Sequence, residues 1–354
     1  MPLRIETFRN DVGGSTLYKA LSHPLAAPAA HALIGQLAAI ESAVIYDPDG
    51  IVQAFDTFHP LGRAEFAHYF VQNLQHLDRR FRGLAAQPVT EIAATRPTAI
   101  FVPSFDAERK LAPVRQLISA DVEIFTLETL KLPPELQTDR ARYLSPLNFA
   151  TNFAFFRDED GRHARLTTTN YWPRYGATEV GLWCRLFGAE GQTLATWTQS
   201  LGAPESPVVI ESGAVRARFD LPAFTGQLFV HVVGAAGHDI VKYALDLYGD
   251  DETALSATHD ANSWPADFYA GLPAPAADED VVLWVQNSHP VAIPPHDIGF
   301  ARMGSAEVTR LAQGVAPFAT RAVHMRDVLP HLSWPDQIEI PAGKHMVRPR
   351  YEVI

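Results

Sequence analysis

The chain of 354 residues has one cysteine, Cys184, which excludes an intrachain disulfide. Cys184 sits between Trp183 and Arg185 in an alternating run and reads as a buried, inert thiol. No run of about 18 apolar residues exists, so no segment has the makings of a spanning helix. The opening Met1-Pro2-Leu3-Arg4-Ile5-Glu6 lacks the apolar centre of a secretory signal, and the expectation is a cytoplasmic protein. Basic residues are scarce, 29 Lys and Arg against 40 Asp and Glu, for a formal net charge of -11. Nucleic acid is a poor partner for such a chain, because phosphate binding needs clustered cations. The one dense basic stretch, Arg79-Arg80-Phe81-Arg82, reads as a solvated helix face. The dinucleotide fingerprint is also missing. After the first strong strand there is a single glycine where a pyrophosphate turn needs three. Gly13-Gly14-Ser15-Thr16 lies ahead of any strong strand and makes a poor phosphate cradle. No cofactor can be assigned.

What is present suits two or three folded domains. Hydrophobic residues reach 47 % and charged residues 19 %, a globular balance rather than a disordered one. Residues 1–135 alternate strand and helix. Ala43-Val44-Ile45-Tyr46, Phe66–Val71, Ala99–Val102 and Val122–Leu127 are apolar strands, and Pro88–Ile92 is a short additional one. Ala27–Ala39, Leu74–Arg82 and Ala107–Ile118 have helical spacing, the last capped by Ser104 or Asp106. This rhythm predicts a Rossmann-like parallel sheet covered on both faces. Ligands of such sheets bind beyond the carboxyl ends of the strands, which is where Asp47, Asp49, Ser104 and Asp106 fall.

Asp47-Pro48-Asp49-Gly50 after an apolar strand resembles the first motif of haloacid-dehalogenase-type phosphatases. The resemblance covers about five residues. It implies a nucleophilic carboxylate at Asp47, a general acid at Asp49 and Mg2+ at the strand end. Ser104 would serve as the second motif and Lys110 as the charge-screening lysine. Ile51 stands where the family has threonine, and the one candidate for the final acidic pair, Asp250-Asp251, lies far outside this region. The same four residues also spell an ordinary turn.

Beyond Leu147 the pattern becomes short alternating strands, including Val180–Phe187, Thr193–Trp197, Val208–Ile210, Val215–Phe219, Gly226–Val232 and Ile240–Leu247. A second set follows at Val281–Asn287, Thr320–Met325, Gln337–Ile340 and Met346–Val353. Shared landmarks recur at an offset of about 100 residues. Asn170-Tyr171-Trp172-Pro173 matches Asn262-Ser263-Trp264-Pro265, and Leu182-Trp183 matches Leu283-Trp284. Arg216-Ala217 matches Arg321-Ala322, Leu221-Pro222 matches Leu329-Pro330, Gln227-Leu228 matches Gln337-Ile338, and Gly237-His238 matches Gly343 with His345. The predicted fold is thus α/β plus all-β. A Rossmann-like domain (1–135) precedes two tandem antiparallel β-sandwiches (147–250 and 251–354) related by internal duplication, with Trp183 and Trp284 anchoring their cores.

Function is less legible. Trp172, Tyr175, Trp264 and Tyr269, with His259 and Asp260, are candidate ligand-binding residues, the aromatics as platforms for sugar rings. His238, His259, Asp260 and His289 are candidate metal ligands, although their spacing matches no standard metal motif. The favoured expectation is a non-catalytic binding or assembly protein for a protein, glycan or small-molecule ligand, with a homo-oligomer left open. The alternatives are an enzyme acting on a phosphorylated or nucleotide-linked small molecule at Asp47 and Asp49, or a His/Asp metal enzyme.

Overall fold

The computed structural model describes residues 14–251, 255–260, 264–346 and 349–354. Two compact units emerge. Of the described residues, one holds 14–134 together with 140–144, and the other holds those from 145 onward together with 135–139.

The first unit begins with α1 (Gly14–Ser22) and α2 (Ala26–Ala38). It continues through β1 (Ala43–Asp47), α3 (Val52–Phe58), β2 (Phe66–Val71), β3 (Arg80–Phe81), β4 (Leu84–Pro88), α4 (Ile92–Thr95), β5 (Ala99–Val102), α5 (Ala107–Leu111) and β6 (Glu123–Thr126). The sheet order is β3-β4-β2-β1-β5-β6, parallel throughout except for the small β3 hairpin. The chain therefore winds outward one way from β1 through β2 and β4, then the other way through β5 and β6. The reversal lies between β1 and β5. Both strands are buried along their whole length, which explains their unbroken apolar sequence. The helix expected over Leu74–Arg82 does not form. A single 3-10 turn at Leu74–His76 leads into β3, and Leu74 and Leu77 are exposed while Phe81 is buried from the strand, so the three do not share one buried face. The strand expected at Pro88–Ile92 is instead the end of β4 followed by a 3-10 turn.

The second unit contains two antiparallel modules. The first has β7 (Ala150–Glu159), β8 (Arg162–Thr169), β9 (Gly181–Phe187), β10 (Thr193–Ser200), β11 (Pro207–Glu211), α6 (Ser212–Arg218), β12 (Phe224–Val233), β13 (Tyr243–Gly249) and β14 (Leu255–Asp260). β7 and β8 pair only beside their turn, at Asp158↔His163 and Glu159↔Arg162. They then part into separate layers, β10-β9-β12-β7 and β11-β8-β13-β14. Inward residues of both layers, among them Phe156, Leu166, Cys184, Leu228 and Leu245, form one core. β14 extends this module at its edge, so the first module runs past the boundary expected at residue 250. Val215–Phe219, expected as a strand, is largely α6.

The second module has β15 (Phe268–Pro273), β16 (Val281–Gln286), β17 (Gly299–Arg302), β18 (Thr309–Arg310), β19 (Thr320–His324), α7 (Met325–Val328), β20 (Gln337–Pro341) and β21 (Arg350–Val353). Its layers are β15-β20-β17-β18 and β19-β16-β21. Taken in chain order, β15 to β21 repeat five of the six pairings of the seven strands β7 to β13, all but that of β7 with β8, and α7 takes the place of α6 between the fifth and sixth strands.

This correspondence changes the register of the sequence landmarks. The Leu-Pro and Gln pairs do fall at equivalent places, after the helix and in β12 or β20. The Leu-Trp pairs do not. Trp183 is on β9, whose counterpart is β17, whereas Trp284 is on β16, the counterpart of β8. Asn170–Pro173 follows β8, but Trp264 and Pro265 precede β15, and Asn262 lies outside the described residues. A one-hairpin slip keeps the alternation and the strand composition, so sequence alone does not resist it. Neither tryptophan anchors its own core. Trp183 faces outward on β9, edge-on to Phe229, with the Arg185 guanidinium over its ring. Trp284 leans on the first module, 5.4 Å from the Phe155 ring and beneath the Arg157 guanidinium.

The modules join along the outer face of β7, β9 and β12. Phe318 stacks on Phe187 at 4.7 Å. The fully buried Gln227 amide donates to the carbonyls of Asn287 (2.9 Å) and Phe318 (2.7 Å) and accepts from the Ser288 hydroxyl. Every polar atom of that side chain is satisfied across the seam, as a buried amide requires.

Candidate functional site

The turn after β1 places the first candidates. Gly50 takes a positive φ of 71°, and a Cβ there would meet the Arg79 guanidinium at 2.3 Å, so the turn needs glycine. Asp47, at the end of β1, is fully buried. Its carboxylate accepts from the amides of Ile51 (2.9 Å) and Val52 (3.2 Å) at the start of α3, and from the Tyr69 hydroxyl at 3.3 Å. Burial pushes its pKa up to about 6, against the lowering effect of these hydrogen bonds. Both oxygens are engaged in holding the turn and the helix start, and neither faces solvent.

Asp49 is the accessible carboxylate. It accepts from the Ser104 hydroxyl (3.1 Å) at the end of β5 and pairs with Lys110 on α5. The Tyr46 hydroxyl lies 2.8 Å from the Gln72 side-chain carbonyl. Burial first, and then the Asp49 charge, push this phenol up to about 12. Asp49, Ser104 and Lys110 thus meet where the strand order reverses, the place ligands favour in open parallel sheets. Lys110 partners Asp49 and not Asp47, and Ser104 is almost fully buried. Asp106 is turned away into an exposed ion pair with Arg109. The Ser104 hydroxyl accepts from the Asp106 amide, and Glu128 accepts from the first amide of α5. The capping group was therefore not a neighbour in sequence but a side chain from the turn after β6. The arrangement can hold a ligand hydroxyl or a cation on Asp49. It offers no exposed nucleophile at Asp47.

The aromatic candidates separate by burial. Trp172 is 0 % exposed, with its indole N–H donating to the His238 carbonyl at 3.3 Å, so it has no free face for a sugar. Tyr175 is half exposed and meets the His238 ring edge-on at 4.7 Å. The Tyr269 hydroxyl donates to the Met346 carbonyl, tying β15 to the loop before β21. Trp264 is half-buried and belongs to the segment leading into β15.

The metal candidates are not brought together. Among the described residues, no three His, Cys, Asp or Glu side chains are disposed to hold a metal ion. His259 lies exposed on β14, with Asp260 at that strand's end, while His238 is in the loop before β13. His289 is buried in the second module, where burial drives its pKa down to about 3 and keeps the ring neutral. His-Asp neighbours on extended chain point to opposite faces, and nothing folds them back into one shell.

A feature not singled out from the sequence lies elsewhere in the second unit. The turn end of the β7–β8 hairpin, the last residues of β13, the start of β14 and β21 line a cleft of about 350 Å³ that contains Arg157, Arg162 and Arg350. These residues span nearly two hundred positions of chain, and no local motif announces them. No protein-family model matches this chain, and no curated protein matches it at a significant level.

Proposed function

We propose that this chain is a cytoplasmic binding or assembly protein without catalysis of its own. In this reading a Rossmann-like α/β domain is joined to two tandem β-sandwiches that arose by internal duplication. The duplication rests on seven strands and one helix recurring in the same order with five of six strand pairings in common, a coincidence that independent origin makes hard to reach. The Rossmann-like reading rests on a parallel order that reverses between β1 and β5. The observation that carries the absence of catalysis is Asp47, whose sealed carboxylate secures the β1–α3 turn where a nucleophile would have to be free. A protein, glycan or small-molecule ligand would then be met by the fused sandwich pair.

A second reading has one specific support, the convergence of Asp49, Ser104 and Lys110 at the strand reversal. It makes the edge a site for a phosphorylated or nucleotide-linked small molecule. One experiment separates the two. Phosphate release from p-nitrophenyl phosphate, nucleotides and sugar nucleotides is followed with Mg2+ for the native chain, Asp49→Asn and Ser104→Ala. Equal, background-level rates are expected. Turnover by the native chain that both folded variants lose would overturn the non-catalytic reading.

A further inference from the structure

The cleft between the modules of the second unit has an unusual charge balance for a chain this acidic. Arg157 reaches it from the outer face of β7, Arg162 from the turn end of the β7–β8 hairpin, and Arg350 from β21. Arg157 faces Glu159 at 3.8 Å, and one carboxylate lines the cleft itself, Glu352. It takes both hydrogen bonds from Arg157 Nη1 (3.1 and 3.2 Å) and a third from the Trp284 indole at 2.7 Å. Its acceptor capacity is thereby largely spent on Arg157 and Trp284. Arg350 donates to the neutral Ser256 hydroxyl at 2.6 Å, and its Nε is buried with no acceptor. Arg162 has no side-chain partner among the described residues. Arg162 therefore has no counter-charge among the described residues, and Arg350 shares Glu352 only through its charge and not a hydrogen bond, in a partly desolvated space where unmatched donors are costly and an incoming oxyanion is favoured.

The remaining lining adds to this. His163 is bracketed by Asp158 on Nδ1 and Asp250 on Nε2. The hydrogen bond to Asp250, followed by contacts with Asp158, raises its pKa, so these two carboxylates are engaged with the imidazole between them. Asp158 is further matched by Arg216. The Tyr248 ring and the aliphatic side chains of Leu247, Leu255 and Val353 supply apolar surface next to the arginines. The Tyr248 hydroxyl is already committed to Glu211, and its ring carries the Arg165 guanidinium at 5.0 Å and the His163 ring at 5.3 Å, which leaves the aliphatic neighbours as the apolar surface for a ligand. A volume of about 350 Å³ is at the small end of ligand pockets, enough for one sugar ring but not for a chain of them.

We infer that the cleft binds a monosaccharide-sized ligand carrying an oxyanion, with Arg162 and Arg350 taking the charged group and Leu247, Leu255 and Val353 meeting the ring. Carboxylate, sulfate and phosphate share this chemistry, and guanidinium forks match all three. The site is compatible with either reading of the α/β edge, because none of its residues belongs to that unit.

The test is isothermal titration of the whole chain with D-glucuronate, glucose 6-sulfate, glucose 6-phosphate and, as the neutral control, glucose. Saturable binding is expected for at least one charged sugar and not for glucose, weakening as salt is raised. Arg162→Ala removes a side chain with no internal partner and is expected to keep the native melting midpoint while weakening that binding at least tenfold. Arg350→Gln should weaken it similarly. Which of the charged sugars binds best distinguishes carboxylate, sulfate and phosphate sources. No saturable binding of any charged sugar at 10 mM overturns the inference, as does undiminished binding by folded Arg162→Ala. The outcome is independent of phosphate release, so failure here leaves the question of catalysis at Asp49 untouched.

Discussion

Replacing Gln227 is the sharpest probe of how the two β modules are held together. The side chain is fully buried on β12 and satisfies three groups of the second module, the carbonyls of Asn287 and Phe318 and the hydroxyl of Ser288. Gln227→Leu keeps most of the volume but deprives all three of their partner. At about 1 kcal/mol for each group left unsatisfied, the loss is about 3 kcal/mol. A unit of this length shifts by about 2–4 °C per kcal/mol, so its midpoint should fall by about 6–12 °C. Gln227→Ala adds a cavity and should cost roughly 1 kcal/mol more. The assay is thermal unfolding followed by tryptophan fluorescence. All six tryptophans lie beyond Tyr171, so the signal reports the second unit and not the α/β unit. Gln337→Leu is the internal control. It sits at the equivalent strand, half-buried, with no side-chain partner among the described residues, and should shift the midpoint by about 1 °C or less. If Gln227→Leu also moves the midpoint by less than about 2 °C, the seam is not held by buried hydrogen bonds and the reasoning fails.

Other expectations follow from the same structure. His289 is neutral when folded, with its pKa near 3 against 6.5 unfolded. Its contribution to stability is present above pH 6.5 and is lost as pH falls through the acid range toward the folded value. The fluorescence-detected midpoint should therefore drop more between pH 7.5 and 4.5 in the native chain than in His289→Gln, and equal drops would contradict the assignment. Asp47 has the opposite sign. Its folded pKa of about 6 lies above the model-compound 3.8, so its term favours folding below pH 3.8 and is lost as pH rises through 6. Far-UV circular dichroism of the α/β transition in native chain and Asp47→Asn should show the native chain gaining relative stability on acidification. Trp172→Ala should destabilise the second unit by about 3–5 kcal/mol as a core deletion, whereas the exposed Tyr175→Ala should cost about 1 kcal/mol or less. A Trp172 variant that keeps its midpoint but loses sugar binding would restore that residue as a platform.

The two β modules show where sequence reading works and where it slips. Leu221-Pro222 and Leu329-Pro330 each follow a short helix and precede a strand, a local event with a local cause. The Leu-Trp pairs were mismatched because an outward tryptophan on one strand looks like an outward tryptophan on the next. The helix read over Leu74–Arg82 failed because, of its three apolar residues, only Phe81 is buried, and it reaches the core from a strand. At the candidate site, Asp47 and Asp49 were legible as a strand-end turn. That one is sealed and the other paired with Ser104 and Lys110 was not.

By itself the sequence determined the local elements. Apolar runs broken by Asp-Pro-Asp-Gly made β1 and its turn, and alternation made the antiparallel strands. Those outcomes depend on residues a few positions apart, whose sterics and hydrogen bonds are set by their neighbours. Only the tertiary structure decided which strand lies beside which, and hence that the order reverses at Asp49 and Ser104, that Trp172 is core, and that Arg157, Arg162 and Arg350 share one cleft. Such meetings are fixed by burial and pairing across the whole chain, and no short stretch of residues carries that information.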